Sequence, residues 1–512
     1  MKTPHRTSVR RWLPVGTVLA LALTALPGVG AAAADRPAAP APAAQPGDIV
    51  SPDVLAGNAP VPRPVRLSTA DGDKAAGTDS CSPAALDAAA AKAKPVDAAT
   101  AAKMGVPAGG RAVTCLRTGD IPAAGRAARD AAIAEARRQA PDTLQAPRDA
   151  TATLRDDDPQ TKEVLPIPDW CYDHVGGGWW GFRTSMCQIT DVAVYIWYVT
   201  PSGQRVHVGT ALALEYAYAF TSDLIDRFAF QVTVRKYWGE RIGASGAATI
   251  TGAAYCTGDC KPDGGSGSLR PGQFRDGVDN EGDSYWLSTR SEPGGIGYPD
   301  PEWEWNVQYL FTLPSTTRSV SPPSIRCDNA FEDDGNNSGD PETPGIQQPT
   351  IGAGCVFLGI VPVMEYSKTG FYPTLAQHIE AAQQSGLPGA YPNGVVLTRL
   401  QDAAKKRANG DRACPRGWVR PTGKSCDEYP FRSTYQGAAQ TTGTGRTFAP
   451  PTVAWCEMDP AWGLPTGVTG PDGWSSCMID RNDNSQGGAA LGSFYRSNRV
   501  LDLDPFFVHI TP

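Results

Sequence analysis

Val192-Ala-Val-Tyr-Ile-Trp-Tyr-Val199, Thr200-Pro-Ser-Gly203 and Val206-His-Val-Gly-Thr-Ala-Leu-Ala-Leu214 follow one another almost without a break. The two outer runs are rich in β-branched and aromatic residues, which suit a pleated surface better than a helix. Pro201-Ser202-Gly203 between them is a turn signal, so the stretch reads as a β-hairpin. Phe228-Ala-Phe-Gln-Val-Thr-Val234 alternates with period two, and Val307–Leu313 is a further strand candidate. Loops rich in Gly and Pro separate these runs. Residues 161–325 are therefore expected to form a central all-β region, sandwich- or barrel-like.

Working outward toward the N-terminus, Lys2, Arg6, Arg10 and Arg11 precede an apolar run from Val15 to Val29 and the small residues Ala31–Ala34. That layout reads as a secretory signal peptide over residues 1–34, because the run is too short for an anchor and a cleavage site follows. Arg10-Arg11 leaves Sec and twin-arginine export both open. No later run is apolar and long enough to span a bilayer, so no membrane partner is expected. Residues 35–160 read as an Ala/Pro-rich leader, helical by propensity at 84–104 and 121–139, where Ala buries little area. All 12 cysteines follow the signal segment. An even count in an exported chain reads as disulfides, and neighbours pair as Cys81–Cys115, Cys171–Cys187, Cys256–Cys260, Cys327–Cys355, Cys414–Cys426 and Cys456–Cys477. Cys256-Thr-Gly-Asp-Cys260 has zinc-like spacing but no second Cys or His pair beside it.

Two acidic stretches follow the hairpin. Asp276-Gly-Val-Asp279-Asn280-Glu281-Gly-Asp283 offers oxygen ligands for a structural Ca²⁺, without the spacing or terminal Glu of an EF-hand, and competes with a plain solvated loop. Residues 326–364, with Cys327-Asp-Asn-Ala-Phe-Glu-Asp-Asp334 near their start, read as a linker and domain entry. From 365 to 512, helix-compatible segments (Leu375–Gln384, Leu397–Ala408, Leu491–Tyr495) mix with a short terminal strand at Asp504–Val508. That mixture predicts a small α+β domain, and the 512 residues exceed what one core usually fills, so the chain is expected to be multidomain.

Within this last stretch stand Tyr372-Pro373 before Ala376-Gln-His378-Ile379, then Cys426-Asp427-Glu428-Tyr429-Pro430, then Asp483-Asn484 leading to Gly487-Gly488. In that order they resemble the NucA/NucB family of secreted bacterial deoxyribonucleases. The resemblance covers about the last 145 residues and implies divalent-metal-assisted hydrolysis of DNA phosphodiesters. Ser425-Cys426 stand where the family often has Asp-Arg, Gln436-Gly437-Ala438 where it has Glu-Gly-Gly, and Asn484-Ser485 where it has Asn-Arg.

Phosphodiester hydrolysis needs a nucleophilic water and neutralisation of the phosphate charge. Mg²⁺ or Mn²⁺ can supply both while held by one or two carboxylates and an amide oxygen. Asp427 and Asn484 are the expected metal ligands. Glu428 is the expected general base, with His378 as its competitor. Adjacent carboxylates on a strand would face opposite ways, so a bend at Pro430 would have to bring Asp427 and Glu428 together. The bland readings are a capping Asp427 and a buried, hydrogen-bonded His378.

Removing the four basic signal residues takes the formal charge from −7 to −11. Yet residues 399–432 hold nine Lys/Arg against four acids. Lys405, Lys406, Arg407 and Arg432, with Arg481 further on, are the expected DNA contacts, and contacts to phosphate carry no base sequence. No aromatic-interleaved run suggests a stacking platform. The expected function is a secreted, metal-dependent, sequence-non-specific endodeoxyribonuclease. Two alternatives stand beside it: a nuclease toxin module with a targeting β region and an immunity-type inhibitor protein, and an inactive extracellular wall- or glycan-binding protein.

Overall fold

A computed structural model describes residues 46–50, 64–67, 80–119, 121–141, 146–156, 164–240, 248–269, 272–309, 312–330, 352–448 and 455–512. The expected export signal, part of the leader and most of the acidic linker lie outside the described residues. The Ala-rich part gives helices α1 (Pro83–Lys92) and α2 (Ala98–Met104), strand β1 (Arg111–Thr118), then α3 (Arg126–Arg137) and α4 (Ala146–Arg155). Ser82 and Asp97 cap the first two helices by accepting from Ala85 N and Thr100 N.

The β-rich region is larger than the sequence alone delimits. Strands β2 (Trp180–Phe182), β3 (Ser185–Val199), β4 (Arg205–Ser222), β5 (Ile225–Glu240) and β7 (Asp279–Ser288) form one antiparallel sheet. The expected hairpin is present, with Val199 opposite Arg205 and Gly203 at a φ of 84° in the turn. β1 joins the same sheet through β3, Arg111 opposite Val199, so the leader contributes a strand as well as helices. Its residues 112–116 are buried from both faces: α1 covers Val113 and Cys115 with Leu86 and Ala90, while Leu116 faces the core of the sheets and Thr114 bonds Thr312.

A second antiparallel sheet holds β6 (Ala248–Gly258), β8 (Pro299–Tyr309) and β9 (Arg318–Val320). The two sheets share a core in which Phe230, Val232 and Ala217 meet Ile250, Trp303, Trp305 and Val307, a sandwich arrangement. Trp303 Nε1 donates to the Phe230 carbonyl at 2.8 Å. The fully buried Glu215 accepts from Trp305 Nε1 at 2.6 Å and from Arg318 at 2.8 and 3.2 Å. Helices α3 and α4 cover the outer face of the first sheet.

The acidic stretch from Asp276 to Asp283 is mostly strand rather than loop. β7 pairs with β5 through Asp279–Leu287, which turns successive side chains to opposite faces. Asp276 pairs with Lys236, Asp279 lies 3.6 Å from Arg235, and Asp283 accepts Ser266 N at 3.0 Å. Asp276, Asp279 and Asp283, three of the four carboxylates in the stretch, thus have cationic or backbone partners.

Strands β10 (Ile325–Asp328) and β11 (Gly354–Phe357), joined by Cys327–Cys355, lead into the C-terminal region. There follow β12 (Val361–Ser367), α5 (Pro373–Gln384), β13 (Leu397–Thr398), α6 (Ala403–Ala413), β14 (Lys424–Tyr429), β15 (Trp474–Asp480), α7 (Arg481–Ser497) and β16 (Pro505–Thr511). β12 and β16 run parallel, with residues 46–50 parallel to β12 on its other edge. β14 and β15 form a separate antiparallel pair. A second core, with Leu375, Ile379, Tyr429, Met478, Phe494 and Phe506, binds these elements.

The described residues belong to one compact unit, and buried charges join its two regions. Arg499, after α7, donates to Asp328 Oδ1 at 2.5 and 3.1 Å and to the Asp223 carbonyl at 2.6 Å. Arg326 in turn donates to Asp504 at 2.7 and 2.9 Å. All six cysteine pairs are disulfide-bonded, in the pairing expected from neighbouring positions.

Candidate active site

The Asp427-Glu428-Tyr429 block lies on β14, opposite Cys477, Ser476 and Ser475 of β15. The strand continues through Tyr429, so its side chains alternate: Ser425, Asp427 and Tyr429 are buried on one face, while Lys424, Cys426 and Glu428 are half-buried on the other. No bend brings the two carboxylates together. Glu428 lies 3.6 Å from Cys414 Sγ, on the side where Ser476 Oγ donates to the Ala413 carbonyl at the end of α6.

On the Asp427 face two helices converge. Pro373 opens α5 with its preset φ, but Tyr372 gives no side-chain cap. Asp483 of α7 caps it instead, accepting from Thr374 N at 2.8 Å and Thr374 Oγ1 at 2.7 Å. Asp480 caps α7 through Asn482 N and Asp483 N. The helices approach closely at Gly487, where a Cβ would meet Leu375 Cδ2 at 2.1 Å. Tyr366 donates to the Gly487 carbonyl at 2.8 Å, and burial pushes its phenol well above the usual range.

This packing places His378, one turn into α5, against the strand. His378 Nδ1 and Asp427 Oδ2 are 2.5 Å apart, and Nε2 lies 3.0 Å from Ser475 Oγ, which donates to the Tyr429 carbonyl at 3.2 Å. The Asp–His–Ser order matches a nucleophile triad, but His378 and Ser475 have 0% exposure. A serine that no substrate can touch is not a nucleophile. With both imidazole nitrogens occupied and no exposed edge, His378 does not reach a water; it fixes the orientation of Asp427.

Asp427 itself differs from its neighbours. Its side chain keeps 8% exposure, and among the described residues His378 alone hydrogen-bonds its carboxylate, which can accept several more. Asn484 lies on the same face. Its amide nitrogen donates to Ser425 Oγ at 3.0 Å and to the Cys426 carbonyl at 2.9 Å, which leaves Oδ1 as its uncommitted atom. The strand and α7 thus offer one carboxylate oxygen and one amide oxygen on the same face.

Two such donors fit a hydrated Mg²⁺ or Mn²⁺, which retains waters and takes further oxygens from a phosphate. They do not fit zinc or a calcium cage, and among the described residues no group of three or more His, Cys, Asp or Glu could hold a metal.

The basic residues divide between the two faces. α6 carries Lys405, Lys406 and Arg407 on the Glu428 side, anchored where Asn409 donates to the carbonyls of Arg432 and Thr434. Arg432 Cδ approaches the same helix at Gly410. Arg481 opens α7 and is exposed on the Asn484 side. Part of the dense basic stretch is structural: Arg420 donates to the carbonyls of Pro415, Trp418 and Cys414, and Arg412 stacks 4.5 Å over Trp474. Burial lowers the Arg399 guanidinium to about 10. Ser425, Ser475 and Thr374 carry no local sequence signal and emerge only from the strand register and helix packing. No family model, no curated protein and no solved structure matches the chain.

Proposed function

We propose that the chain is an exported, divalent-metal-dependent endodeoxyribonuclease without base specificity, of the kind that its C-terminal motifs resemble. The observation that carries this reading is the half-occupied Asp427 carboxylate, on the same strand face as Asn484 and framed by the first turns of α5 and α7. Asp427 and Asn484 would hold Mg²⁺ or Mn²⁺, which when bound neutralises phosphate charge and makes a water acidic enough to attack. His378 holds Asp427 in one rotamer through Nδ1, and Ser475 holds His378 in turn. Arg481, on the exposed first turn of α7, contacts a phosphate oxygen and thereby positions the strand without reading bases. Glu428, behind the strand, takes no part on this face.

Export is part of the same proposal. Six disulfides suit an oxidising compartment, and among the described residues no helix is long and apolar enough to cross a membrane. The test is plasmid cleavage by the purified full chain with Mg²⁺ or Mn²⁺. Nicking that stops on chelation is expected; cleavage undiminished after exhaustive chelation, or none with either metal, overturns the reading.

A further inference from the structure

Just before the first turn of α5, which Asp483 of α7 caps, a large apolar side chain stands in solvent. Phe371 is 61% exposed, immediately before the Tyr372-Pro373 step that opens α5. Tyr372 turns inward: its ring meets Tyr366 at 6.2 Å and 75°, and its Cγ lies 3.5 Å from where a Gly487 Cβ would stand. Phe371 stays outside, its ring 6.2 Å from that of Tyr372 at 48°. The adjoining surface of α7 is open and polar. Arg481 and Gln486 are exposed, and a Cβ on the exposed Gly488 would meet nothing within 4 Å.

The position suits one ligand class. Phe371 stands two residues before α5, at the end of that helix which Asp483, the neighbour of Asn484, caps. A single ring among polar groups is too small for a protein- or membrane-docking patch. It matches the face of one base, and stacking on an aromatic ring is indifferent to which base it is.

We propose that Phe371 stacks on an unpaired base of the DNA strand whose phosphate lies at Asp427 and Asn484, which makes it a positioning residue with a preference for single-stranded or frayed DNA. This inference rests on the nuclease reading above. The experiment uses the full chain with Mg²⁺ and a short single-stranded oligonucleotide that carries 2-aminopurine and uncleavable internucleotide linkages, so that nothing is cut. Wild-type protein is expected to bind it and to quench its fluorescence. Phe371→Ala and Phe371→Leu should lose the quench and bind roughly 5- to 150-fold more weakly, the range of one base–aromatic stack. Phe371→Trp should retain both, and an oligonucleotide with abasic sites should bind all four proteins alike. Equal affinity and quenching by wild type and Phe371→Ala overturns the inference, as does no binding by wild type. If plasmid cleavage persists in the first case, the nuclease reading stands without the stack. If cleavage and binding are both absent, both fall. A glycan that competes for Phe371 while DNA does not bind also overturns it.

Discussion

Glu215 and Asp328 in the β-rich region and Asp427 in the C-terminal region are all carboxylates held out of solvent, and their surroundings differ in one respect. Glu215 receives an indole N–H and two guanidinium contacts, and Asp328 receives Arg499 and Arg326. Neither has side-chain exposure. Asp427 receives one imidazole and keeps a small opening. A buried charge without full pairing is costly, so a saturated carboxylate is a fastening, whereas the half-occupied one, on the same face as the Asn484 amide, is where we propose a ligand. Motif reading picks out Asp427; the contrast with Glu215 and Asp328 gives the choice a physical basis.

The comparison breaks first at its fastenings. Arg499→Met removes the main partner of Asp328 and should destabilise the full chain by about 3–5 kcal/mol, the cost of leaving a buried charge unpaired. A thermal scan reads this as a lower Tm. An unchanged Tm would mean that Asp328 is not held as described. Because the network spans Asp223, Asp328 and Asp504, a fragment starting near 365 should fold poorly even though its motifs are complete.

Next in size is the bridge behind the strand. Cys414→Ser with Cys426→Ser opens a loop closed across 12 positions and should cost about 2–4 kcal/mol. Denaturant unfolding gives the value, and mass spectrometry showing free thiols at both positions in the exported protein would remove its basis.

Ser475→Ala sharpens the comparison. It deletes two buried hydrogen bonds, to His378 and to the Tyr429 carbonyl, and should cost about 1–3 kcal/mol, with turnover reduced far less than by a change at Asp427. A total loss of turnover in a folded Ser475→Ala protein would instead revive Ser475 as a nucleophile.

The smallest effects concern the basic residues. Arg481→Ala should flatten the log–log salt dependence of DNA binding by roughly one unit. Lys405, Lys406 and Arg407 all changed to Ala should leave the slope nearly unchanged, since α6 lies behind the strand. The opposite result would place the DNA on the Glu428 face.

Much of this was legible in the sequence, for identifiable reasons. The 192–214 hairpin shows because its turn chemistry and strand composition are local, and the six disulfides because each joins neighbouring cysteines. β1 is missed because Arg111–Thr118 sits between Ala-rich helical segments; pairing with β3 and cover from α1 make it a strand. Asp427, Asn484 and His378 are found as residues, but their roles depend on contacts between distant elements. His378 lies 49 positions from Asp427 and 97 from Ser475. Whether it is exposed or sealed has no sequence signal. Glu428 is ruled off the face by strand alternation, a rule readable from sequence once the strand is known to run through Tyr429.

The most direct measurement compares Asp427→Asn with Glu428→Gln in plasmid cleavage by the full chain, with Tm recorded for both. Both changes are nearly isosteric. Asp427→Asn should keep its Tm and lose about 100-fold or more in turnover, whereas Glu428→Gln should cut at close to the wild-type rate. Near-normal turnover in Asp427→Asn, or a collapse confined to Glu428→Gln, would contradict the account and move the chemistry to the other face of the strand.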